Sequence, residues 1–230
     1  MESRFFDLLP NACFGVVIAK GVNNFAKSPE VEALLSESIK KVQNDFLEKK
    51  VREDKRIELY REAFRKLGIN PNKYLCSIEA LAARVAKGGE IPKINPLVDL
   101  GNALSLKYFV PLGAHDMDKF SGDIEIRFSR EGDSFVPFNA TETESVAAGE
   151  VVYASGTDIK TRNWIHRQGE NGKITESAKN IFFPIDGFTE NKEDILCLRQ
   201  ELSELLTKFL SPSEVATGFV DMSEQSFIIK

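Results

Sequence analysis

The sequence predicts an α+β fold, a single domain with a β-rich middle and helices on either side. Apolar residues recur at three- and four-residue steps near both ends of the chain, a spacing typical of amphipathic helices. Between them lie short runs of alternating or β-branched apolar residues, which are typical of strands. No internal repeat or low-complexity tract divides the 230 residues, a length that one large domain can have.

The first part of the chain predicts a strand followed by three helices. Phe14–Val22 is a β-branched run typical of a buried strand. Ser28, followed by Pro and Glu, is expected to cap a helix whose apolar residues continue to Phe46. A second helix is expected through Ile57–Leu67, and Ser77 is expected to cap a third.

The later part of the chain predicts mostly strands. Apolar and polar residues alternate over Ile124–Phe128, and we expect Phe135–Phe138 to return beside them as a hairpin, where Pro137 favours an edge position. The further elements are expected to be strands at Glu150–Ala154 and Ile181–Ile185, a closing helix from Asn191 to Phe209, and two candidate edge strands at Ala216–Met222 and Phe227–Ile229.

The composition excludes several classes of protein. A formal net charge of −5 excludes a generally basic nucleic-acid coat, though not a local basic patch. The three cysteines lie far apart without CxxC spacing, which favours reduced thiols in a cytoplasmic protein over a disulfide or zinc framework. We expect no signal peptide, because MESRFFDLLP has no cationic region leading into a long apolar run. We expect no membrane span, because no stretch approaches about eighteen uncharged apolar residues.

One local excess of positive charge stands out. Between Lys40 and Lys66, ten Lys and Arg residues stand against six Asp and Glu residues. The excess is either the solvated face of the predicted helices or a footprint for RNA phosphates. An acidic protein that binds RNA would have to concentrate its cations in such a place.

The central stretch Ile91–Lys119 carries the polar cluster of greatest interest. A loop with two prolines leads into an apolar, helix-spaced run from Leu97 to Leu106, and the stretch ends in GAHDMDK. His115, one of only two histidines in the chain, stands there beside Asp116 and Asp118. This group is either a functional site or a cap-and-turn network at the end of the apolar element.

Familiar catalytic and metal-binding motifs are absent. The sequence contains no GxGxxG, GxSxG or HExxH, and RQGENGKIT lacks the spacing of a phosphate-binding GxxxxGK[ST] loop. The spacing of His115, Asp116 and Asp118 is a weak pattern for a metal, and no cysteine has a histidine close to it in sequence. We therefore expect no metal and no cofactor.

The stretch INPLVDLGNALSLKYFVPLGAHDMDKFSGDIEIRFSREGD resembles the B3/4 domain, the editing module of the phenylalanyl-tRNA synthetase β subunit, and most of all its freestanding relatives. Matching features continue through GEVVYA, RNW and IT and end at NIFF. The resemblance implies a three-layer B3/4 fold with a central β-sandwich flanked by helices. It assigns residues 77–188 to the core, 1–76 to an N-terminal strand and helices, and 189–230 to a C-terminal helix and edge strands.

The resemblance also implies a function, the hydrolysis of a mischarged aminoacyl-tRNA bound by its 3′ end, with no DNA or membrane partner. An aminoacyl ester is already activated for hydrolysis. The site therefore need only exclude the wrong cargo (the amino acid attached to the tRNA), place one water and stabilise an oxyanion. One alternative is a non-catalytic module that binds a tRNA end or a small metabolite. Another is a hydrolase of small acyl esters that needs no RNA. The oligomeric state stays open.

Residue types and the resemblance together give the candidate site residues. The candidates for catalysis are His115, Asp116 and Asp118, with His115 or a bound water as the base. The candidates for binding the aminoacyl group are Trp164, Asn95, Asn102, Gly113, Arg162 and His166. The candidates for contacting the tRNA backbone are Arg84, Lys119 and Arg167. Structural roles are open as well: a helix cap for Asn95, core for Trp164, an exposed loop for His166 and Arg167, and ion pairs for Arg84 and Lys119.

Several positions depart from the synthetase pattern. When the chains are aligned on Asn102, Pro111 and Asp116, the synthetase threonine, histidine and phenylalanine fall on Gly101, Gly113 and His115. The Ala-Gly floor of the synthetase pocket falls near Trp164-Ile165, and the glutamate that discriminates tyrosine falls on Pro184. The tyrosine-reading groups are therefore missing, and we expect a cargo other than tyrosine on the tRNA for phenylalanine.

Overall fold

The structure, a computed structural model, describes residues 1–25 and 27–228. The helices in these ranges are α1 (Ser3–Leu8), α2 (Pro29–Asp45), α3 (Lys55–Lys66), α4 (Ser77–Ala86), α5 (Pro96–Tyr108) and α6 (Lys192–Leu210). The strands are β1 (Ala12–Lys20), β2 (His115–Asp116), β3 (Ile124–Phe128), β4 (Ser134–Phe135), β5 (Glu144–Ser145), β6 (Val151–Ser155), β7 (Asp158–Arg162), β8 (Arg167–Gln168), β9 (Ile181–Phe188) and β10 (Glu214–Val220).

The strands form two sheets. The first sheet has the order β10-β1-β9-β2 and is antiparallel throughout. The second has the order β3-β6-β7-β4-β5, with β8 paired to β7 and a parallel pairing between β4 and β7. β10 and β3 are therefore edge strands of their respective sheets.

The first sheet lies between a helical layer and the second sheet. Cys13 and Val17 of β1 pack with the apolar faces of α5 and α6. Phe14 and Val16 of the same strand pack in the cluster that contains Tyr153 of the second sheet. Successive side chains of a strand point to opposite faces, so β1 contributes to both interfaces. The predicted α+β fold, with three layers and a central β-sandwich, is confirmed.

Most of the predicted elements are confirmed. The Ser28 hydroxyl caps α2 by accepting a hydrogen bond from the Val31 amide at 3.3 Å. Asn95 caps α5 by accepting from the Val98 amide at 3.1 Å, which is one of the two roles expected for it. The strands β1, β6 and β9 and the closing helix α6 lie where the sequence predicts them.

Two predictions of local structure are wrong. The cap of α4 is Cys76, and Ser77 is its first helical residue. The hairpin after β3 does not form, because β3 pairs with β6 while Phe135 of β4 pairs with Glu144 of β5. All five residues of β6 are buried, so pairing with β6 places β3 against the sandwich core, which the two-residue β4 cannot do.

The candidate edge strands near the end of the chain differ from each other. Ala216–Met222 overlaps β10, an edge strand as expected. Of the second run, Phe227 and Ile228 belong to no strand, and Ile229 lies outside the described residues. Across the described ranges, no helix has both the length and the apolar character needed to cross a bilayer.

Candidate functional site

The predicted polar cluster lies at the β2 edge of the first sheet. After α5 the chain turns at Phe109, whose φ of 60° is left-handed, and then runs beside β9. The Gly113 amide donates to the Pro184 carbonyl at 2.9 Å, and His115 and Asp116 then form β2 against β9. Because side chains alternate along a strand, β2 turns the imidazole and the carboxylate to opposite faces.

The His115 imidazole is buried. Aromatic rings surround it at centroid distances of 6.1 to 6.5 Å, those of Phe182, Tyr153 and Phe120. Its Nδ1 lies 3.4 Å from Nε2 of Gln168, which is long for a hydrogen bond. Burial, reinforced by the positive charge of Lys160, lowers the pKa of His115 to about 3. The ring is therefore neutral at pH 7 and is a weak base.

Local hydrogen bonds hold the two neighbouring carboxylates. Oδ1 of Asp116 accepts from the Asp118 amide at 3.1 Å and caps the 3₁₀ turn Met117–Lys119. Burial raises the pKa of Asp116. Asp118 is exposed, and its Oδ1 accepts from Nδ2 of Asn180 at 2.8 Å. These contacts form the cap-and-turn network that the sequence left open, and the catalytic role of the two carboxylates stays a prediction.

A cleft of about 590 Å³ opens between the two sheets, and we name it the inter-sheet cleft. The three rings around His115 also line this cleft, so the imidazole lies directly behind its wall. The other apolar lining residues include Phe14, Val16 and Ile18 of β1, Pro184 of β9, Val220 of β10, and Ile124 and Ile126 of β3. Asp123 and Glu125 bring carboxylates to it. A cavity of this size and character suits a small ligand with a large apolar part.

Two positions that depart from the synthetase pattern contact each other. A Cβ atom built on Gly113 would lie 2.9 Å from Cγ of Pro184. Real Cβ atoms do not approach another atom so closely, so a side chain at position 113 does not fit while proline occupies position 184.

Trp164 lies in the core and does not line the inter-sheet cleft. Its side chain is 0% exposed and packs against Phe5, Phe14, Phe64 and Phe188. Asn163 and Trp164 both have left-handed backbone conformations, with φ of 47° and 60°. Their turn directs the indole inward although its sequence neighbours are polar.

The other predicted aminoacyl-binding residues do not line the inter-sheet cleft, and several of them make structural contacts. Arg162 donates to both carboxylate oxygens of Glu150, at 3.0 and 2.8 Å. Nδ1 of His166 lies 2.8 Å from the Leu75 carbonyl oxygen. Asn102 is half-buried on α5, and Nδ2 of the cap residue Asn95 donates to a backbone carbonyl in the loop before β9.

The residues predicted to contact the tRNA backbone are exposed, but they come from separate elements. Arg84 lies in the last turn of α4, Lys119 in the turn after β2, and Arg167 in β8. Their side chains are accessible to phosphate groups.

The basic excess between residues 40 and 66 is in part internally paired. Its ion pairs include Arg56–Asp54, Arg61–Glu79 and Arg65–Glu58, with nitrogen–oxygen distances of 2.7 to 2.8 Å. Arg61 and Glu79 are buried and so are not available to phosphate groups, while the two more exposed pairs favour the solvated helix face over a dedicated phosphate footprint.

Sequence reasoning missed a buried network next to the inter-sheet cleft. Oδ1 of Asp186 accepts hydrogen bonds from Oη of Tyr153 at 2.6 Å and from Nε1 of Trp164 at 2.8 Å. Burial raises the pKa of Asp186 to about 7 against the opposing effect of these two hydrogen bonds. The signal in the sequence was a lone aspartate within the apolar run IFFPIDGF.

A buried lysine was also missed. Lys160 is completely buried, and its Nζ donates to Oδ2 of Asp158 at 2.6 Å and to the Lys119 carbonyl at 2.8 Å. Its charge acts on the pKa of His115. In the part of the chain that the structure describes, no group of three or more His, Cys, Asp and Glu side chains is arranged to hold a metal ion.

A match to a family model agrees with the resemblance. A family model described as the B3/4 domain matches residues 59–224, beginning before and ending after the predicted core. The phenylalanine–tRNA ligase beta subunit of Fusobacterium nucleatum is 29% identical over 109 residues, which are 47% of this chain and only 13% of that protein. An N-terminal fragment of the phenylalanyl-tRNA synthetase beta subunit from Pyrococcus horikoshii is 14% identical, with a TM-score of 0.42 over 52% of this chain and 41% of that one. Because the family model covers well over half of its residues, this chain belongs to the B3/4 domain family.

Proposed function

We propose that this protein is a hydrolase that deacylates a mischarged aminoacyl-tRNA in trans, with the aminoacyl end of the tRNA held in the inter-sheet cleft. Membership of a domain family that is also found in a tRNA ligase subunit supports the substrate class. The observation that carries the proposal is the apolar cleft of about 590 Å³ beside the His115 segment. The match covers only 13% of the ligase beta subunit. The ligase's own activity is therefore not part of this proposal.

The cleft can position the groups of an aminoacyl ester. Its apolar walls suit a hydrophobic amino-acid side chain, and Asp123 or Glu125 can accept hydrogen bonds from the α-ammonium group. In the proposed function a water or the ester carbonyl reaches the neutral His115 between the rings that form the wall in front of it, and the imidazole orients that group by hydrogen bonding. An activated ester needs positioning more than it needs a strong base.

The cargo we propose is not tyrosine on the tRNA for phenylalanine. Gly101, Gly113 and Pro184 stand where the synthetase pattern has its cargo-reading side chains, and Pro184 contributes an apolar surface to the cleft. Arg84, Lys119 and Arg167 are the proposed contacts to the tRNA backbone.

The second candidate is a non-catalytic module that binds a tRNA end or a small metabolite in the same cleft. The protonation chemistry of the cluster favours this candidate. His115 is a weak base because its pKa is about 3, and Asp116 and Asp118 are engaged in local hydrogen bonds. A binding module needs no general base.

Incubation with a panel of radiolabelled aminoacyl-tRNAs tests the proposal. We expect label to be lost from one or a few species, and we expect His115→Ala to slow that loss about tenfold or more, as removal of a positioned polar group does. His166→Ala is the matched control and should leave the rate unchanged, because the aromatic ring beside this second histidine, Tyr74, does not line the cleft, whereas the three rings around His115 do.

The outcomes separate the candidates. If every aminoacyl-tRNA stays charged at high protein concentration, the deacylase proposal fails. A gel shift with tRNA that weakens steeply with salt then supports the binding module. Hydrolysis of small aminoacyl esters without any effect on charged tRNA would assign the cleft to small esters instead.

A further inference from the structure

The segment after β10 lines the inter-sheet cleft with residues Gln225–Ile228, and we name Asp221–Ile228 the strap. It begins with a turn after β10, in which Oδ1 of Asp221 accepts from the amides of Ser223 and Glu224 at 2.8 and 3.2 Å. The Asp221 amide donates to the Glu224 carbonyl at 3.1 Å. The turn brings the last four residues of the strap to the cleft that they line.

Phe227 of the strap lies against Gly218 of β10. A Cβ atom built on Gly218 would lie 2.5 Å from Cδ2 of the Phe227 ring. Gly218 does not have a positive φ, so its backbone conformation does not demand glycine. The absence of a side chain at this position instead makes the space that the ring occupies. Because Gly218 pairs with Val16, which lines the cleft, the ring lies on the cleft face of the sheet.

Among the described residues, the strap is held to the rest of the protein by the Phe227 ring, which packs against the core, and by hydrogen bonds of Gln225. The backbone carbonyl of Gln225 accepts a hydrogen bond from the Met1 backbone nitrogen at 2.8 Å. The side-chain Oε1 of Gln225 accepts one from the Ser3 hydroxyl at 3.3 Å. Its last four described residues belong to no helix or strand, and Ile228 is 78% exposed although it lines the cleft. Segments with few buried apolar contacts open locally at a small free-energy cost.

The strap lies at the end of the part of the chain that the family shares. The B3/4 model ends at residue 224, whereas the strap lines the cleft with residues Gln225–Ile228. Most of the other residues that line the cleft, from Met117 to Val220, lie within residues 59–224, the range that the family model matches. The strap therefore adds a wall to a cleft that is otherwise built largely from the family domain.

We propose that the strap is a lid on the inter-sheet cleft and that Phe227 sets how wide the cleft opens. The ring must leave Gly218 before a bulky apolar group can enter between the edge strands β10 and β3. The identity of that group as the aminoacyl end of a tRNA rests on the proposed function, whereas the lid itself does not.

Two substitutions should open the lid by different physical means. Phe227→Ala removes the ring, and Gly218→Val keeps the ring but fills its space. We expect both to speed amide hydrogen exchange over residues 221–228 about tenfold, as the loss of one apolar anchor does. We expect both to increase binding of the neutral apolar dye Nile red severalfold. Met222→Ala is the matched control, because this strap residue is 54% exposed and should behave like the unchanged protein.

The double variant Gly218→Val/Phe227→Ala should exchange like the single variants, because both substitutions remove the same contact. The lid is refuted if either single variant leaves exchange and dye binding unchanged, or if Met222→Ala has an equal effect. Deacylation is measured separately. Faster exchange with no tRNA deacylated would refute the proposed function and leave the lid intact. If the protein deacylates tRNA and neither substitution changes the rate or the preferred amino acid, the lid is refuted and the proposed function stands.

Discussion

Two buried ionisable side chains, His115 and Asp186, lie close to the same tyrosine and are held in opposite ways. Asp186 accepts two short hydrogen bonds, one of them from Tyr153. His115 lies 6.2 Å from the Tyr153 ring, centroid to centroid, and among the described residues its imidazole has one polar side-chain contact, the long one to Gln168. Burial disfavours the charged form of each, so it raises the pKa of Asp186 and lowers the pKa of His115.

The difference separates a group with close hydrogen-bond partners from one that has a single long contact among the described residues. A buried polar atom whose partners are supplied by the protein contributes to the fold, whereas one with few partners can take a partner from outside. On this view Asp186, Tyr153 and Trp164 join the two sheets, and the role of His115 in the cleft stays a proposal.

The largest loss of stability is expected when the hydrogen-bonded network around Asp186 is disrupted. Trp164→Ala should lower the free energy of unfolding by about 4 kcal/mol, because it empties a large space in the core and leaves Asp186 with one donor fewer. Trp164→Phe should cost roughly half as much, since an aromatic ring still fills part of the space. Urea unfolding at pH 7 measures both. A loss below about 1 kcal/mol for Trp164→Ala would place the indole outside the core.

The pH dependence of unfolding tests Asp186 itself. The pKa of its carboxyl is about 7 in the folded protein and 3.8 as its ordinary value. The folded state therefore binds more protons in this window, and stability falls as pH rises. Asp186→Asn removes this titrating group. As the pH rises from 5 to 8, the free energy of unfolding of the variant should therefore increase relative to that of the unchanged protein by about 2.5 kcal/mol. The exposed Asp45→Asn should show no such gain. A difference that does not vary with pH would contradict the assignment.

His115 should show the opposite sign. Its folded pKa is about 3 and its ordinary value 6.5, so the unfolded chain binds the proton first as pH falls. The stability due to neutral His115 is complete above pH 6.5, and about 2 kcal/mol of it should be lost between pH 7 and 5. His115→Gln should abolish that loss, and His166→Gln should retain it. Unfolding curves in which both variants retain the loss would mean that His115 is accessible to protons in the folded state.

The sequence predicts the elements of this fold better than their partners. The helical spacing over Leu97–Leu106 and the cap at Asn95 predict α5 from neighbouring residues alone. The partner of β3 depends instead on which distant strand buries the most apolar surface, and local pattern suggested the nearer Phe135–Phe138. The spacing of apolar residues within one strand does not reveal which of several distant strands will pair with it.

The candidate site was predicted in part for the same reason. The His115 segment was found because its residue types stand together in sequence. Trp164 looked like a pocket wall because its sequence neighbours are polar, yet two successive left-handed residues direct it inward. Asp186 was missed because its partners Tyr153 and Trp164 lie far from it along the chain. Strand pairing, which sequence spacing does not reveal, brings these groups together.

The contact between Gly113 and Pro184 has a consequence for the order in which substitutions can accumulate. A histidine at position 113, as in the synthetase pattern, would meet Cγ of Pro184 from its first carbon atom. Replacing Pro184 first removes the obstacle, whereas replacing Gly113 first forces the two side chains together. A side chain at position 113 should therefore cost less stability after Pro184 has been replaced than before, so the order of the two substitutions matters.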